Sequence, residues 1–501
     1  MIGEVGSQND FIIGWLNYLA SLFLRNMKKV VSIVTAFAFS FFLLFFVGYR
    51  KSEFVILSTN DMHASLDNVA RLATAVKECR DTVFTIVVDA GDRWTGNAYV
   101  DLAEGRLPII RLMNAVGYDV ATLGNHDFDA GQRVLDEAID EADFEVVCAN
   151  MQSTSELLED VECNERIVTP EGIAVDFVGV VTSYANGHPD GNDINFEGLQ
   201  FENPQMVAER ECKALKGDVK VLLSHMGHDR DMELAARFGG YDVIIGGHTH
   251  QVLDTLVNGS IIGQTGRKLK NIGVTKVQMR GSRVVNIEYE NIPLKNYDKS
   301  AEVERVVEEI EANPALKEVV GSMAQSVSHI GLCNLQTKII KEATGADIGI
   351  YHRGGVRIIE GLPAGDVTIK TLFDNEPFFS QVHTCKMTPA QLRKLIVEKY
   401  NDTVNAKESH CIDLYATTPY TIIVDENDRA YDVQFPRLKE GEKYRVAIAD
   451  YVARNYAHFE CENEVRTPLL VFDLDRAYFE KNSPVSISNK PLQKVVVRKK
   501  L

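Results

Sequence analysis

The sequence lacks an excess of basic residues. It has 53 Lys and Arg against 71 Asp and Glu, which gives a formal net charge of −18. Proteins that track a nucleic-acid backbone need clustered Lys and Arg for phosphate contacts, so this composition argues against nucleic acid as a partner. A small anionic substrate remains compatible with it if bound metal ions supply positive charge locally.

Two short motifs are also missing. The eight cysteines are scattered without a C-x-x-C pair, which argues against a zinc ribbon or a thioredoxin-like redox site. One or two disulfide bridges remain open if the protein is exported. No G-x-x-x-x-G-K-[ST] loop is present, so chemistry driven by ATP bound to such a loop is not expected.

The first fifty residues are predicted to be a leader. Residues 30–48 carry no charge and follow Lys28 and Lys29, a pattern typical of a secretory signal or, at this length, of a retained membrane anchor. Met27 directly precedes the two lysines and is a candidate true start. Either alternative places the bulk of the chain outside the cytoplasm, in the periplasm or anchored and facing outward.

The remaining length predicts two domains. A chain of 501 residues exceeds what one hydrophobic core normally supports. We expect a first domain at 51–295, a linker helix at 296–327 and a second α/β domain at 328–501. The linker prediction rests on a charged, amphipathic stretch from Lys299 to Val327, which has apolar residues at helical spacing.

Five apolar strands are predicted to end directly before polar side chains. Strands that alternate with helices predict a layered α/β fold, in which ligands bind at the carboxyl ends of the strands. These five strand ends should therefore bring their polar residues to one place. The segments are T-N-D-M-H (59–63), G-D-R-W-T-G (91–96), G-N-H-D-F-D (124–129), S-H-M-G (224–227) and G-G-H-T-H (246–250).

Carboxylate, amide and imidazole ligands together suit zinc, manganese, iron, cobalt or nickel. A bridging carboxylate can hold two such ions about 3.5–4 Å apart. The alternating spacing in Asp61-x-His63 and in His248-x-His250 places each pair on one side of an extended segment. The sequence therefore predicts two divalent metal ions. The candidate ligands are Asp61, His63, Asp92, Asn125, His225, His248 and His250.

The order of these five segments resembles the 5′-nucleotidase branch of the calcineurin-like metallophosphoesterases. That branch includes UDP-sugar hydrolases and cyclic-nucleotide phosphodiesterase/3′-nucleotidases. The resemblance is strong over about residues 54–290 and extends more weakly to about residue 475. It implies a four-layer β-sandwich flanked by helices, joined by the linker helix to a 5′-nucleotidase C-terminal domain that recognises the substrate.

The resemblance also implies a role for each residue of the site. His126, with Asp129 behind it, is expected to form a catalytic His–Asp pair, and Asp127 is expected to be structural. The implied metal ligands are Asp61, His63 and His250 for one ion, Asn125, His225 and His248 for the other, and Asp92 as the bridge.

In the second domain the resemblance is less complete. Arg357 matches a family arginine expected to bind phosphate, and Phe378 and Tyr451 lie where two base-stacking aromatics are expected. His352 replaces a family asparagine, and residues 454–457 lack the expected ribose-binding Asp. Simple packing roles for the two aromatic residues remain open.

The expected function is that of a dinuclear-metal phosphohydrolase, an extracytoplasmic 5′-nucleotidase that releases phosphate from nucleotides. A cyclic nucleotide, a UDP-sugar or a non-nucleotide phosphoester is the alternative substrate for the same chemistry. A surface binding protein on the same fold is the alternative outside enzymes. The intact ligand set argues against it, because a protein without turnover would be expected to have lost part of that set.

Overall fold

The computed structural model describes residues 14–17, 21, 24, 25, 27, 51–184, 186–401, 411–456 and 458–498. The predicted signal or anchor at 30–48 lies outside these residues. Within them, no helix combines the length and the apolar character needed to cross a bilayer. All eight cysteines lie in the described part of the chain, and all are free thiols.

Strands occur throughout the first domain, from residue 51 to residue 293. They are β1 (Lys51–Thr59), β2 (Thr85–Asp89), β3 (Val120–Thr122), β4 (Glu145–Val147), β5 (Met151–Ser153), β6 (Asn164–Val168), β7 (Ala174–Val181), β8 (Leu199–Phe201), β9 (Val219–His225), β10 (Val243–Gly246), β11 (Val252–Val257), β12 (Ser260–Thr265), β13 (Asn271–Arg280) and β14 (Arg283–Pro293).

Helices connect several of these strands and follow the last one. They are α1 (Val69–Arg80), α2 (Ala98–Asp101), α3 (Leu107–Val116), α4 (Gln132–Asp140), α5 (Pro204–Ala214), α6 (His228–Arg237) and α7 (Ala301–Glu311), with 3₁₀ turns at Glu104–Arg106, Asn125–Phe128, Asp193–Phe196 and Leu294–Asn296.

Two six-stranded mixed sheets stack face to face, in the orders β14-β13-β1-β2-β3-β4 and β11-β12-β10-β9-β7-β6. Alternation along β1 shows why. Phe54 and Ile56 enter the core between the sheets, while Val55 and Leu57 face the helical layer that contains α1 and α3. Helices α5 and α6 cover the outer face of the second sheet. The predicted four-layer sandwich is therefore confirmed.

The order of parallel strands sets the position of the site. In the first sheet β1, β2 and β3 are parallel neighbours, and in the second β9 and β10 are parallel neighbours. Their carboxyl ends lead directly into the five predicted segments. Because parallel strands end at the same edge of a sheet, the segments of each sheet meet there.

The predicted linker helix is wrong in its extent. The helix α7 ends at Glu311 rather than near Val327, and Val303 and Val307 pack into the core of the first domain. Asn313-Pro314 explains the end, because a residue before proline is disfavoured in the helical region. A 3₁₀ turn at Pro314–Lys317 follows, and the chain then enters a strand.

The second domain is a smaller α/β unit. Its strands are β15 (Val319–Met323), β16 (Ile348–His352), β17 (Gly365–Thr368), β18 (Gln381–Met387), β19 (Leu414–Ala416), β20 (Tyr420–Val424), β21 (Ala430–Gln434), β22 (Tyr444–Ala449), β23 (Glu462–Leu470) and β24 (Gln493–Val497). Its helices are α8 (His329–Thr344), α9 (Ile369–Asn375), α10 (Pro389–Asn401), α11 (Asp450–Asn455) and α12 (Val471–Asn482), with a 3₁₀ turn at Arg353–Gly355.

A five-stranded sheet, β19-β16-β22-β18-β23, divides the core of this domain in two. Helices α8, α9 and α12 bury their apolar faces against one side. Helix α10 and the three-stranded sheet β21-β20-β24 cover the other. The sheet is mixed, as the antiparallel pairing of β18 with β22 and the parallel pairing of β16 with β22 show.

Candidate metal and catalytic site

Five of the predicted ligands have a left-handed backbone. The φ angles are 49° at Asp61, 46° at His63, 61° at Asp92, 74° at His248 and 55° at His250. Such angles are uncommon outside glycine and cost on the order of 1–3 kcal/mol each, so they persist where the surrounding structure fixes them. Their concentration at one place marks that place as a candidate functional site.

Backbone hydrogen bonds connect the strand ends to one another. Asp61 N donates to Gly91 O at 2.9 Å, and His63 N donates to Asp92 O at 3.0 Å. The His126 backbone N–H donates to the Asp92 carboxylate at 2.9 Å. The loops that follow β1, β2 and β3 are therefore held together before any ligand is considered.

A first group of potential ligand atoms comprises Asp61, His63 and His250, whose donor atoms lie within 4.8 Å of one another. His63 Nε2 is 2.9 Å from His250 Nε2, and His250 Nε2 is 3.3 Å from Asp61 Oδ1. This is the first predicted ligand set, brought together as expected.

A second group comprises Asp61, Asp92 and His225. Asp92 Oδ2 is 3.1 Å from His225 Nε2 and 3.9 Å from His63 Nε2, which places this carboxylate between the two groups. Asp61 belongs to both groups, although the sequence predicted it for one. Asn125 and His248 complete the predicted set nearby, with Asn125 Oδ1 3.0 Å from His248 Nδ1.

The tautomers of two histidines follow from their carbonyl partners. His63 Nδ1 lies 3.1 Å from Thr95 O, and His225 Nδ1 lies 2.6 Å from Ala90 O. A carbonyl can only accept, so each Nδ1 carries the proton and each Nε2 is left to face the carboxylates. His225 Nε2 is fully buried without a hydrogen bond of normal geometry. An unsatisfied imidazole nitrogen beside a buried carboxylate fits a metal ligand.

Charge at the site is balanced by close pairing. Burial disfavours the charged form of His225, but the Asp92 carboxylate outweighs this effect and raises the pKa of His225 to about 10. Burial lowers the pKa of His63 to about 4, despite the opposing effect of Asp92. A cation between these groups would replace the proton on His225 and leave both imidazoles as neutral ligands.

The two groups of potential ligands, together with Asn125 and His248, form one cluster. His126 lies beside this cluster and is not part of it. Its Nδ1 is 2.8 Å from Asp129 Oδ2, and its ring centroid is 5.4 Å from that of His63. Burial opposes protonation, but Asp129 and Asp92 outweigh it and raise the pKa of His126 to about 10. The carboxylate of Asp129 accepts the Nδ1–H and thus fixes the orientation of the ring.

Asp127 has a structural role, as expected. Its carboxylate accepts backbone N–H groups of Gly124 at 2.7 Å, Asp92 at 3.2 Å and Arg93 at 3.0 Å. Both Asp127 and the Arg93 side chain are fully buried, and their charged atoms are 3.5 Å apart. This pair ties the loop after β3 to the loop after β2.

One cavity of about 1370 Å³ opens between the two domains. Its lining combines residues of the cluster and of the catalytic pair with all three residues predicted to bind substrate, which lie in the second domain. These residues are Asp92, Asn125, His126, Asp129, His248, His250, Arg357, Phe378 and Tyr451.

The three substrate-binding candidates, Arg357, Phe378 and Tyr451, have different neighbours in the cavity wall. The Arg357 guanidinium lies 5.7 Å from the centroid of the Phe378 ring. Tyr451 stacks on His352, with centroids 4.8 Å apart and planes 26° apart. Phe378 is 40% exposed and Tyr451 49% exposed, so neither is a core residue. Among the described ring contacts, none joins Phe378 to Tyr451.

Two residues near the site were not predicted. Thr95 contacts both His63 and Asp129. It lies inside the G-D-R-W-T-G segment, so its position next to a predicted ligand is a signal that could have identified it. The hydroxyl of Tyr184 lies 3.2 Å from His248 Nε2. Tyr184 follows β7, so the rule that polar residues follow apolar strands would have found it.

Two segments of the chain match known protein families. Residues 54–252 match the family described as calcineurin-like phosphoesterase. Residues 314–464 match the family described as 5′-nucleotidase, C-terminal domain. The first match covers every predicted metal ligand and the catalytic pair.

Similar proteins agree with these matches. The chain is 27% identical over 419 residues to the trifunctional nucleotide phosphoesterase protein YfkN of Bacillus subtilis, which covers 70% of the chain and 28% of that relative. It is 24% identical over 529 residues to protein UshA of Yersinia enterocolitica, covering 88% and 93%. A solved putative 5′-nucleotidase from Staphylococcus aureus, in complex with alpha-ketoglutarate, matches with a TM-score of 0.75 at 15% identity, covering 89% of the chain and 100% of that structure.

The stacked sheets and the cluster of carboxylates, imidazoles and an amide define a metallophosphoesterase fold and site. More specifically, residues 54–252 form a calcineurin-like phosphoesterase domain and residues 314–464 a 5′-nucleotidase C-terminal domain.

Proposed function

We propose that the protein is a dinuclear-metal phosphohydrolase that releases phosphate from 5′-nucleotides. The observation that carries the proposal is the composition of the cavity wall. A cluster of potential metal ligands and the His126–Asp129 pair line the same cavity as Arg357, Phe378 and Tyr451. Chemistry and recognition would therefore act on one bound molecule.

The proposed ligand sets follow the two groups and their neighbours. Asp92 would contact both ions, because its carboxylate lies between His63 and His225. Divalent ions held there would lower the pKa of an attacking water and offset the charge of the phosphoryl oxygens. The proposed sets are Asp61, His63 and His250 for one ion and Asn125, His225 and His248 for the other, with Asp92 shared.

His126 is proposed as the catalytic residue. Asp129 holds its Nδ1–H at 2.8 Å, which leaves Nε2 as the nitrogen that can act on substrate. When the ring is protonated on both nitrogens, Nε2–H can donate a hydrogen bond to a phosphoryl oxygen or a proton to the leaving oxygen. The backbone N–H of His126 also donates to Asp92. This hydrogen bond fixes the position of the proposed catalytic residue relative to the proposed bridging carboxylate.

The second domain is proposed to select the substrate. Arg357 suits an anionic group because its planar fork can bind two oxygens together. Phe378 and Tyr451 are partly exposed and line the cavity, and aromatic rings can stack on any nucleobase. The match to a 5′-nucleotidase C-terminal domain and the likeness to a nucleotide phosphoesterase support a nucleotide over other phosphoesters.

An extracytoplasmic location, in the periplasm or anchored to a membrane through residues 30–48, is part of the proposal. The apolar stretch after Lys28 and Lys29 supports it. Fractionation of cells that express the full chain would test it. Activity retained in the cytosolic fraction would contradict it.

A substrate panel tests the catalytic proposal. Chain from residue 51 onward is loaded with Mn²⁺ or Zn²⁺ and given AMP, 3′-AMP, 2′,3′-cyclic AMP, UDP-glucose and p-nitrophenyl phosphate. We expect the fastest phosphate release from AMP. Release from p-nitrophenyl phosphate alone would keep the metal chemistry and overturn the nucleotide assignment. No release from any compound would overturn both.

A further inference from the structure

Thr95 contacts the metal cluster and the catalytic pair at the same time. Its carbonyl oxygen accepts a hydrogen bond from His63 Nδ1 at 3.1 Å. Its hydroxyl donates to Asp129 Oδ2 at 2.7 Å, the same oxygen that lies 2.8 Å from His126 Nδ1. One residue therefore joins a proposed ligand to the proposed catalytic imidazole through two different atoms.

The backbone of Thr95 is unusual for its residue type. Its φ is 68°, a left-handed value that a β-branched side chain rarely adopts. Strained conformations of this kind persist where neighbouring contacts over-determine them, and they concentrate at functional sites. The strain at Thr95 thus calls for a group that maintains it.

Asp101 is that group. Its Oδ1 accepts the Thr95 N–H at 2.9 Å, and its Oδ2 accepts the N–H groups of Gly96 at 2.7 Å and Asn97 at 2.9 Å. Asp101 is buried. A β-carbon at Gly96 would lie 2.8 Å from His63 O, which shows how closely this turn runs past His63.

We propose that Thr95 is a positioning residue that sets His63 and His126 relative to each other. The inference rests on the proposed phosphoester hydrolysis. The carbonyl fixes His63 with Nε2 toward the cluster. The hydroxyl occupies one lone pair of Asp129 Oδ2 while His126 Nδ1–H occupies the other, so the carboxylate cannot rotate and the imidazole keeps one orientation.

Three variants separate positioning from packing. Thr95→Val keeps the carbonyl and the side-chain shape but removes the hydroxyl. Thr95→Ser keeps the hydroxyl. Thr122→Val is the control, because Thr122 is also buried in the same domain and its hydroxyl donates to Val147 O at 2.8 Å rather than to either residue of the catalytic pair.

Steady-state kinetics on the best substrate of the panel, with metal affinity by calorimetry, gives the readouts. We expect Thr95→Val to lower kcat about 10-fold or more, with KM and metal affinity within about twofold of wild type. Thr95→Ser should recover kcat to within about threefold, and Thr122→Val should leave kcat unchanged. In an Asp129→Ala background, Thr95→Val should cause no further loss.

Several outcomes would overturn the inference. One is a kcat for Thr95→Val within about twofold of wild type, and another is a Thr95→Ser variant as slow as Thr95→Val. A third is an additive loss in the Asp129→Ala background. If Thr95→Val does not fold, Thr95→Ala takes its place with the same expected split.

The imidazole ¹⁵N shifts of His126 decide the question without turnover. A single downfield Nδ1–H signal in wild type, from the proton held by Asp129, that is lost in Thr95→Val supports positioning, and an unchanged signal overturns it. A wild-type protein that releases no phosphate would instead count against the proposed function, so the two failures are distinguishable.

Discussion

His126 illustrates how one residue acquires a role from its immediate partners. Burial alone would keep its ring neutral, yet Asp129 and Asp92 raise the pKa of His126 to about 10. Divalent ions beside Asp92 would act in the opposite direction, because they repel a second positive charge. The ring thus combines a fixed orientation with a charge state that depends on what the neighbouring carboxylate binds.

Replacement of His126 by alanine tests this residue directly. We expect kcat to fall by about 10²–10⁴, the usual contribution of a positioned acid or base. Metal affinity should remain, because the ring is not among the proposed ligands and its backbone N–H to Asp92 is retained. Kinetics and calorimetry on the same sample check both parts. A loss of metal affinity equal to the loss of rate would contradict the assignment.

Residue identities at the site could be predicted from the sequence, but several contacts could not. Asp61, His63, Asp92 and His250 were expected together because polar residues that follow parallel strands meet at one edge. The role of Thr95 depends on a left-handed backbone. No spacing rule predicts that conformation for a β-branched residue.

The loops after β2 and β3 pack so closely that glycine is required between them. A β-carbon at Gly124 would lie 2.2 Å from Asp92 Oδ1 and 2.4 Å from Asp92 N. Any side chain at position 124 must therefore displace the proposed bridging carboxylate or its backbone. The geometry of the metal site thus depends on the contact between two elements.

Gly124→Ala should lower metal affinity by at least about 10-fold, because it moves the carboxylate that both ions would share. Calorimetric titration with Mn²⁺ measures the change. Gly172→Ala is the control for a strained substitution away from the site: Gly172 has a φ of 84°, and no atom lies within 4 Å of an added β-carbon. Equal effects of the two substitutions would contradict the account.

Glu376, the residue directly after helix α9 in the second domain, makes the stability of the protein depend on pH. It lies at the end of α9, fully buried, and accepts hydrogen bonds from Tyr351 Oη at 3.2 Å and Ser380 Oγ at 2.7 Å. Burial raises the pKa of Glu376 to about 7, and these hydrogen bonds offset part of the increase. The folded protein therefore retains this proton at a pH where the unfolded chain has lost it.

The sign of the pH effect follows from that difference. Below the unfolded pKa of 4.5 both states are protonated, and folding carries no penalty from this group. As the pH rises from there to about 7, the free energy of unfolding falls, because the unfolded chain releases this proton more readily than the folded protein does. Above about pH 7 the full loss of stability is reached, about 3 kcal/mol. Glu376→Gln should therefore stabilise the protein near pH 8 and change little near pH 4.5. Urea unfolding at both values tests this; equal effects at both would contradict it.

The strands were predictable because the apolar runs are short, continuous and followed by polar residues, whereas the four layers were expected only from the family resemblance. The extent of α7 was not, because its apolar spacing continues past Glu311 toward Leu316. At that point Asn313-Pro314 overrides the helical pattern. Local backbone restriction thus decided the boundary against amphipathic periodicity.

At the scale of the whole molecule, the two domains contact each other beside the cavity. Arg454 Nη2 donates to Asn192 Oδ1 at 3.3 Å, and Arg466 Nη2 is 3.3 Å from Asp193 Oδ2. Sequence patterns did not predict these contacts, because they join side chains more than 250 residues apart in the chain. The relative placement of the domains therefore required the structure.

The ion pair between Arg466 and Asp193 should contribute little. Both side chains are more than a third exposed, and exposed pairs are worth about 0–1 kcal/mol. Arg466→Ala is expected to raise KM for AMP by no more than about fivefold, with the kcat for p-nitrophenyl phosphate unchanged. Arg476→Ala is the control, since neither Arg476 nor its partners Glu318 and Glu480 are among the residues that line the cavity. A larger change in KM for Arg466→Ala would contradict this estimate.

Titration of metal into chelator-treated protein, with phosphate release from AMP followed at each addition, tests the central claim most directly. The account predicts no release without metal, a rise as metal is added, and a plateau at two equivalents per chain. Release that is independent of metal, or no release at any metal content, would contradict the proposal of a dinuclear-metal phosphohydrolase.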